Sequence, residues 1–231
     1  MARSTRKWPL ITEWNPRSPI SEAYKVLRTN IEYSNVDDPI GILMVTSSRV
    51  GEGKSTTSAN LAVTYAQAEK KVLLIDADLR KPTQHHIFQQ SNRVGLTTVL
   101  TNQCEWSKAT RETTVEGLSL ITSGPIPPNP SELLGSKRME TLILELKQQY
   151  DLIVLDTPPV LAVTDPLIVS RLTDGVLLMA DAGKIKREMI LKAKGALERV
   201  EARILGVVLN NINRKTVDGY YYGYYGTEET Q

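Results

Sequence analysis

With 231 residues, 41% of them hydrophobic and 23% charged, the chain has the size and make-up of one globular domain and lies far from the charge-rich, apolar-poor compositions that stay disordered. A net charge of +2 excludes a global field of the kind that gathers nucleic acid or acidic lipid, and no nucleic-acid binding is expected. The single cysteine, Cys104, excludes an internal disulfide framework and a cysteine-based zinc cluster, while no apolar run reaches the roughly 18–20 residues of a membrane-spanning helix. The N-terminus has no signal-peptide-like apolar segment, so a cytoplasmic protein is expected, meeting membranes only peripherally or through a partner.

Residues 1–17 carry Arg3, Arg6, Lys7 and Arg17 against Glu13 alone, lack periodicity and contain Pro9 and Pro16, which reads as an irregular basic extension. Ser18 as N-cap and Pro19 at the first helical position then open a helix with Ile20, Tyr24, Leu27 and Ile31 on one face and Glu22, Lys25 and Arg28 off it. The run Ile40 to Thr46 predicts a strand, followed by a glycine-containing loop and a helix over about 54–68. Further strands are predicted over 72–75, 118–121, 152–155, 176–179 and 204–209, with helices over about 131–149, 164–172 and 186–201. Most of these strands are apolar at every position, as strands covered on both faces are. The expectation is an α/β fold: a doubly wound, mostly parallel sheet with helices on both faces, spanning residues 18–213, and a ligand site beyond the carboxyl ends of its strands. Residues 214–231 are expected to form a flexible, tyrosine-rich tail.

Three strand ends carry chemistry. The first runs into Ser47-Ser48-Arg49-Val50-Gly51-Glu52-Gly53-Lys54-Ser55-Thr56, a P-loop in which backbone N–H groups wrap phosphate at a helix N-terminus, a lysine reaches the β/γ-phosphates and a hydroxyl meets Mg²⁺. The strict pattern has glycine where this chain has Ser48. Gly51, Glu52, Gly53, Lys54, Ser55 and Thr56 are therefore the expected ATP-binding residues, with Ser55 a metal ligand. The second strand end places Asp76 at a tip and Asp78 two residues on, the third places Asp156 at a tip. An apolar run ending in Asp is how P-loop proteins hold Mg²⁺ beside the phosphates.

In this order, Gly51-Glu52-Gly53-Lys54-Ser55-Thr56, Ile75-Asp76-Ala77-Asp78-Leu79-Arg80-Lys81-Pro82, Ser123-Gly124-Pro125-Ile126-Pro127-Pro128-Asn129-Pro130 and Asp156-Thr157-Pro158-Pro159 resemble the Walker A, A′, proline-rich connector and Walker B motifs of the bacterial tyrosine kinases, a deviant-Walker branch of the P-loop ATPases. The resemblance covers roughly residues 18–225. It implies an ATP- and Mg²⁺-dependent protein-tyrosine kinase in which Lys54, Asp76 and Asp78 are catalytic: Lys54 holds phosphate, Ser55, Asp76 and Asp156 organise Mg²⁺, and Asp78 meets the tyrosine hydroxyl. It also implies adenine contacts at Asn210 and Asn211, and an oligomerisation helix carrying Glu22, Lys25 and Arg28. Where this family usually carries proline in the loop the chain has Val50, and the partitioning ATPases' signature lysine falls at Arg49. Arg80 is placed either to touch phosphates or to hold a neighbouring loop, and the two readings stay open.

Five of the nine tyrosines, Tyr220, Tyr221, Tyr222, Tyr224 and Tyr225, lie together near the C-terminus, interleaved with Gly223 and Gly226. They are the expected autophosphorylation sites, presented to a neighbouring subunit. The resemblance further implies a membrane-embedded activator with a cytoplasmic tail that recruits the chain to the inner membrane face, a homo-oligomeric ring, a cognate tyrosine phosphatase and protein substrates, within capsule or exopolysaccharide production. The alternatives are a partitioning-type ATPase without kinase activity and a nucleotide-switched scaffold of polysaccharide assembly. His85 and His86 lack the spacing of a metal pair.

Overall fold

The computed structural model describes residues 10–34 and 39–212. In chain order these form α1 (Ile11–Trp14), α2 (Pro19–Tyr33), β1 (Ile42–Ser47), α3 (Lys54–Ala66), β2 (Val72–Asp76), α4 (Gln84–Ile87), α5 (Leu96–Leu100), α6 (Trp106–Ala109), β3 (Thr110–Glu112), β4 (Leu118–Ile121), α7 (Pro130–Leu134), α8 (Lys137–Lys147), β5 (Leu152–Asp156), α9 (Asp165–Ser170), β6 (Gly175–Asp181), α10 (Arg187–Glu198) and β7 (Ile204–Asn210). Seven strands make one sheet in the order β3-β4-β2-β5-β1-β6-β7. All neighbours are parallel except β3, which pairs antiparallel with β4 at the edge.

Alternation along the central strands divides the core in two, because successive side chains leave opposite faces of a sheet. Ile42, Met44, Leu73, Ile75, Ile153 and Leu155 face the layer that contains α5, α7, α8, α9 and α10. Leu43, Val45, Leu74 and Val154 face the layer built from α2, α3 and α4. β1 is entirely buried, as are β2, β5 and β6. This is the expected doubly wound architecture, and it places β1 between β5 and β6, so that the loop after β1 opens where consecutive connections diverge to opposite sides of the sheet.

Three expectations need correction. The stretch read as irregular up to residue 17 contains α1, because Leu10 is buried in the core and Thr12 is clasped by Asn60 of α3: its backbone N–H and its hydroxyl donate to Asn60 Oδ1 at 3.1 and 2.9 Å. The α2 stripe is rotated. Ser18 does cap the helix, accepting from Ser21 N at 3.1 Å, but Ser21 turns inward to donate to the carbonyls of Ile11 and Asn15, leaving Ile20 53% exposed. The helix expected over 131–149 is two, α7 and α8, because Ser136 caps a new helix by accepting from Met139 N at 3.3 Å.

Candidate active site

The phosphate loop is organised from inside by Glu52. Its side chain is buried and accepts from Arg49 N at 2.9 Å and from the Ser48 hydroxyl at 2.8 Å. The serine at the position where the strict motif has glycine thus serves to fix this carboxylate. Glu52 shapes the loop, and the groups available to phosphate are the backbone amides around it. Gly53, the N-cap of α3, has φ of 93°, a left-handed conformation that favours glycine. A Cβ there would also stand 2.1 Å from Asn210 Nδ2. Asn210 ends β7 and donates from Nδ2 to the Glu52 carbonyl at 3.1 Å, while Asn211 Nδ2 donates to Asp181 at 3.1 Å. Asn210 therefore borders the loop, while Asn211 is tied to the end of β6.

β2 and β5 are neighbours in a register that pairs Asp76 with Asp156, so the two expected metal acids stand side by side on the face covered by α3. Lys54, in the first turn of α3, reaches across to them. Its Nζ lies 2.8 Å from Asp78 Oδ2, 3.7 Å from Asp156 Oδ1 and 3.0 Å from Ser55 Oγ. Lys54, Ser55, Asp76, Asp78 and Asp156 are thus brought together, all of them at most 9% exposed.

Burial sets the electrostatics. It raises Asp76 first, Asp156 beside it adds to the effect, and the amides of Gln84 and Thr83 offset it only in part, leaving the carboxyl at about 8. Asp156 is also raised by burial, with Lys54 opposing. For Lys54 burial works downward, but Asp156 and Asp78 outweigh it and its pKa is raised. Three acids around one ammonium form a site short of positive charge. Ser55, Asp76 and Asp156 supply the hard oxygens that a divalent cation such as Mg²⁺ takes. Among the described residues no group of three or more acidic, His or Cys side chains is arranged to hold a metal ion by itself.

Arg80 stands outside this cluster. Its Nε and a terminal nitrogen donate to the two oxygens of the fully buried Asp165 at 2.8 and 2.9 Å, and the same nitrogen to Ser131 Oγ at 3.2 Å. This fork ties the loop after β2 to the starts of α7 and α9, the loop-holding one of the two roles open to it. On α2, Lys25 pairs with Glu22 at 2.7 Å, and Arg28 donates to the Thr64 carbonyl of α3 at 2.6 Å. Tyr220, Tyr221, Tyr222, Tyr224 and Tyr225 lie outside the described residues.

Two contributors escaped the sequence reading. Ser58, one turn into α3, donates to Asp156 Oδ1 at 3.4 Å, and Gln84 donates to Asp156 Oδ2 at 2.8 Å. The one available signal was Thr83-Gln84 directly after Pro82, a place where backbone N–H groups at a helix start seek an acceptor.

Fold and loop together define a P-loop nucleotide-binding protein. The AAA domain family, AAA_31, matches residues 41–192. Tyrosine-protein kinase YwqD of Bacillus subtilis (strain 168) is 47% identical over 220 residues, 95% of this chain and 92% of that protein. Among solved structures, the chimerical protein CapA2B2 matches with a TM-score of 0.85 at 42% identity, over 88% of this chain and 89% of that one. The kinase domain of the Escherichia coli tyrosine kinase ETK matches with a TM-score of 0.86 at 37% identity, over 88% and 80%. The chain belongs to the AAA-domain P-loop family and, within it, to the bacterial tyrosine-protein kinases.

Proposed function

We propose that this kinase transfers the γ-phosphoryl group of ATP, with Mg²⁺, to the tyrosine cluster Tyr220–Tyr225 of a neighbouring copy and to other proteins, and that this transfer regulates capsule or exopolysaccharide production. The observation that carries the reading is the Asp78 carboxylate 2.8 Å from Lys54 Nζ at the mouth of the phosphate loop. Lys54 and the loop amides hold the β- and γ-phosphates, and once phosphate competes for the ammonium, Asp78 is released to accept the proton of an incoming tyrosine hydroxyl. Such transfer relies on alignment and charge neutralisation more than on covalent help. Ser55, Asp76 and Asp156 would hold Mg²⁺, which would supply neutralising charge to the phosphates. Asp76 already accepts from three backbone amides, those of Asp78, Thr83 and Gln84, so its remaining lone pair suits a water of the metal. Asn210, bordering the loop, and Asn211 next to it would face the base. Phosphate on the tail adds about −1.5 to −2 charge per tyrosine and would push the tail from its docking site or from other copies.

A membrane-embedded activator that recruits the chain through its cytoplasmic tail, ring assembly through α2 with Glu22, Lys25 and Arg28, and a cognate phosphatase that resets the tail complete the reading. Among the described residues no helix is long and apolar enough to cross a membrane, which fits recruitment from outside the chain. The test is incubation of the full chain with Mg²⁺ and radiolabelled ATP, with and without a candidate activator tail, and mapping of phosphotyrosine, Lys54→Met serving as control. Label on Tyr220–Tyr225 that vanishes in the control is the expected result. Free phosphate with no labelled tyrosine, even with activator, would replace the kinase reading with an ATPase.

A further inference from the structure

Gln84 belongs to none of the phosphate-loop or strand-tip motifs, yet it is fully buried and touches three parts of the site. Its Nε2 donates to Asp156 Oδ2 at 2.8 Å and to the Ser55 carbonyl at 3.0 Å. Its backbone N–H donates to Asp76 Oδ2 at 2.9 Å, an oxygen that also receives Thr83 N. One residue thus fastens the tip of β5, the first turn of α3 and the tip of β2. The amide orientation is fixed by chemistry: reversing it would set Oε1 against two acceptors. Oε1 itself is buried without a donor among the described residues. A buried acceptor left unmet is unfavourable, and an apolar side chain of similar length would fill the volume without it. Packing alone does not explain glutamine here.

The need it meets is electrostatic. Asp76 and Asp156 are register partners on adjacent strands, so when charged they repel. Apart from Gln84, Asp156 is attended by the Ser55 side chain, by the Ser58 hydroxyl at 3.4 Å and by Lys54 Nζ at 3.7 Å. Without Nε2 the Asp156 carboxylate is free to close on Lys54 and draw the ammonium away from phosphate.

We propose that Gln84 is a positioning residue for metal-dependent phosphoryl transfer, holding Asp156 and Asp76 in the orientation in which they meet a hydrated divalent cation that arrives with ATP. The inference rests on Ser55, Asp76 and Asp156 being the metal side of the site. Partners that orient metal-site groups from behind contribute about 10- to 100-fold in metal affinity.

The test compares ADP binding by calorimetry with and without Mg²⁺ for the full-length wild type, Gln84→Met and Asp156→Asn. In Gln84→Met, metal-free ADP affinity stays within about threefold, since loop amides and Lys54 remain, while the Mg²⁺ enhancement falls at least about tenfold. The Mg²⁺ concentration for half-maximal tyrosine phosphorylation rises by a similar factor. A parallel loss of ADP affinity with and without metal would make Gln84 merely structural and overturn the proposal. So would an unchanged enhancement in Gln84→Met while Asp156→Asn loses it. If Asp156→Asn also keeps the enhancement, the metal-site reading fails instead. Should Gln84→Met not fold, Gln84→Asn, which keeps the amide and shortens its reach, reports the same ratio.

Discussion

Two lysine–carboxylate pairs of almost equal length stand in different parts of the molecule. Lys54 meets Asp78 at 2.8 Å with the two side chains 11% and 4% exposed; Lys25 meets Glu22 at 2.7 Å with 36% and 57% exposed. Distance does not separate them. Around the first pair little water screens the charges, two further acids crowd in, and a change of partner is felt as a pKa shift and as chemistry. Around the second, solvent competes, so the pair contributes little to stability and is free to exchange its partner for one on another copy.

Removing the acid from the buried pair gives the largest effect. Asp78→Asn keeps the shape but loses the proton acceptor, and phosphotyrosine formation falls about 10²- to 10⁴-fold, measured as initial rates at saturating MgATP. A drop under fivefold would place the proton's destination elsewhere.

A second prediction follows from the crowding of acids. Asp76 has its folded value raised from 3.8 to about 8, so the folded state holds this proton more tightly than the unfolded chain. Its contribution is fully present below 3.8 and is lost as pH rises through about 8. The nucleotide-free protein accordingly loses up to about 1.4 kcal/mol per pH unit from this group within that window. Urea midpoints across the window check this. Asp76→Asn flattens the dependence and raises stability at the alkaline end while removing activity; an unchanged slope would mean that another group carries it.

Between the two extremes lies Arg80, a partly exposed cation on a buried acid. Arg80→Ala leaves Asp165 without its fork and destabilises the protein by about 1–3 kcal/mol, read from the urea midpoint, and Arg80→Lys recovers only part because it cannot bind both oxygens at once. The smallest effect is on α2. Glu22→Ala changes monomer stability by less than about 0.5 kcal/mol, yet under the ring proposal Glu22→Ala with Arg28→Ala shifts light scattering toward monomer. A scattering profile identical to wild type would remove α2 from the assembly.

The same contrast explains what could be read from the sequence. Six of the sheet's seven strands, their mostly parallel arrangement and the positions of Lys54, Asp76 and Asp156 were legible because each depends on local pattern: apolar runs, a glycine loop, an acid at a strand end; β3, three residues without an apolar run and paired antiparallel at the edge, was not. Arg80's role was left between phosphate and loop, because its partner Asp165 is distant in sequence. Gln84, Ser58 and the inward turn of Ser21 were not legible, because each is defined by what other segments bring to it. The division of residues 130–147 into α7 and α8 turned on Ser136, a capping serine inside an otherwise helical pattern. The α1 segment was hidden for a similar reason: Thr12 finds its partners in Asn60 and Gln67, far along the chain.

Asn210 closes the last strand with its side chain against the phosphate loop. Ten residues further on comes Tyr220, so the covalent chain confines that tyrosine to within about 35 Å of the loop of its own subunit. A tether of this length presents its tyrosines at millimolar effective concentrations to sites within reach. Under the proposed assembly the same tether keeps the tyrosines close to the site of a neighbouring copy, where weak, sequence-tolerant contacts would suffice.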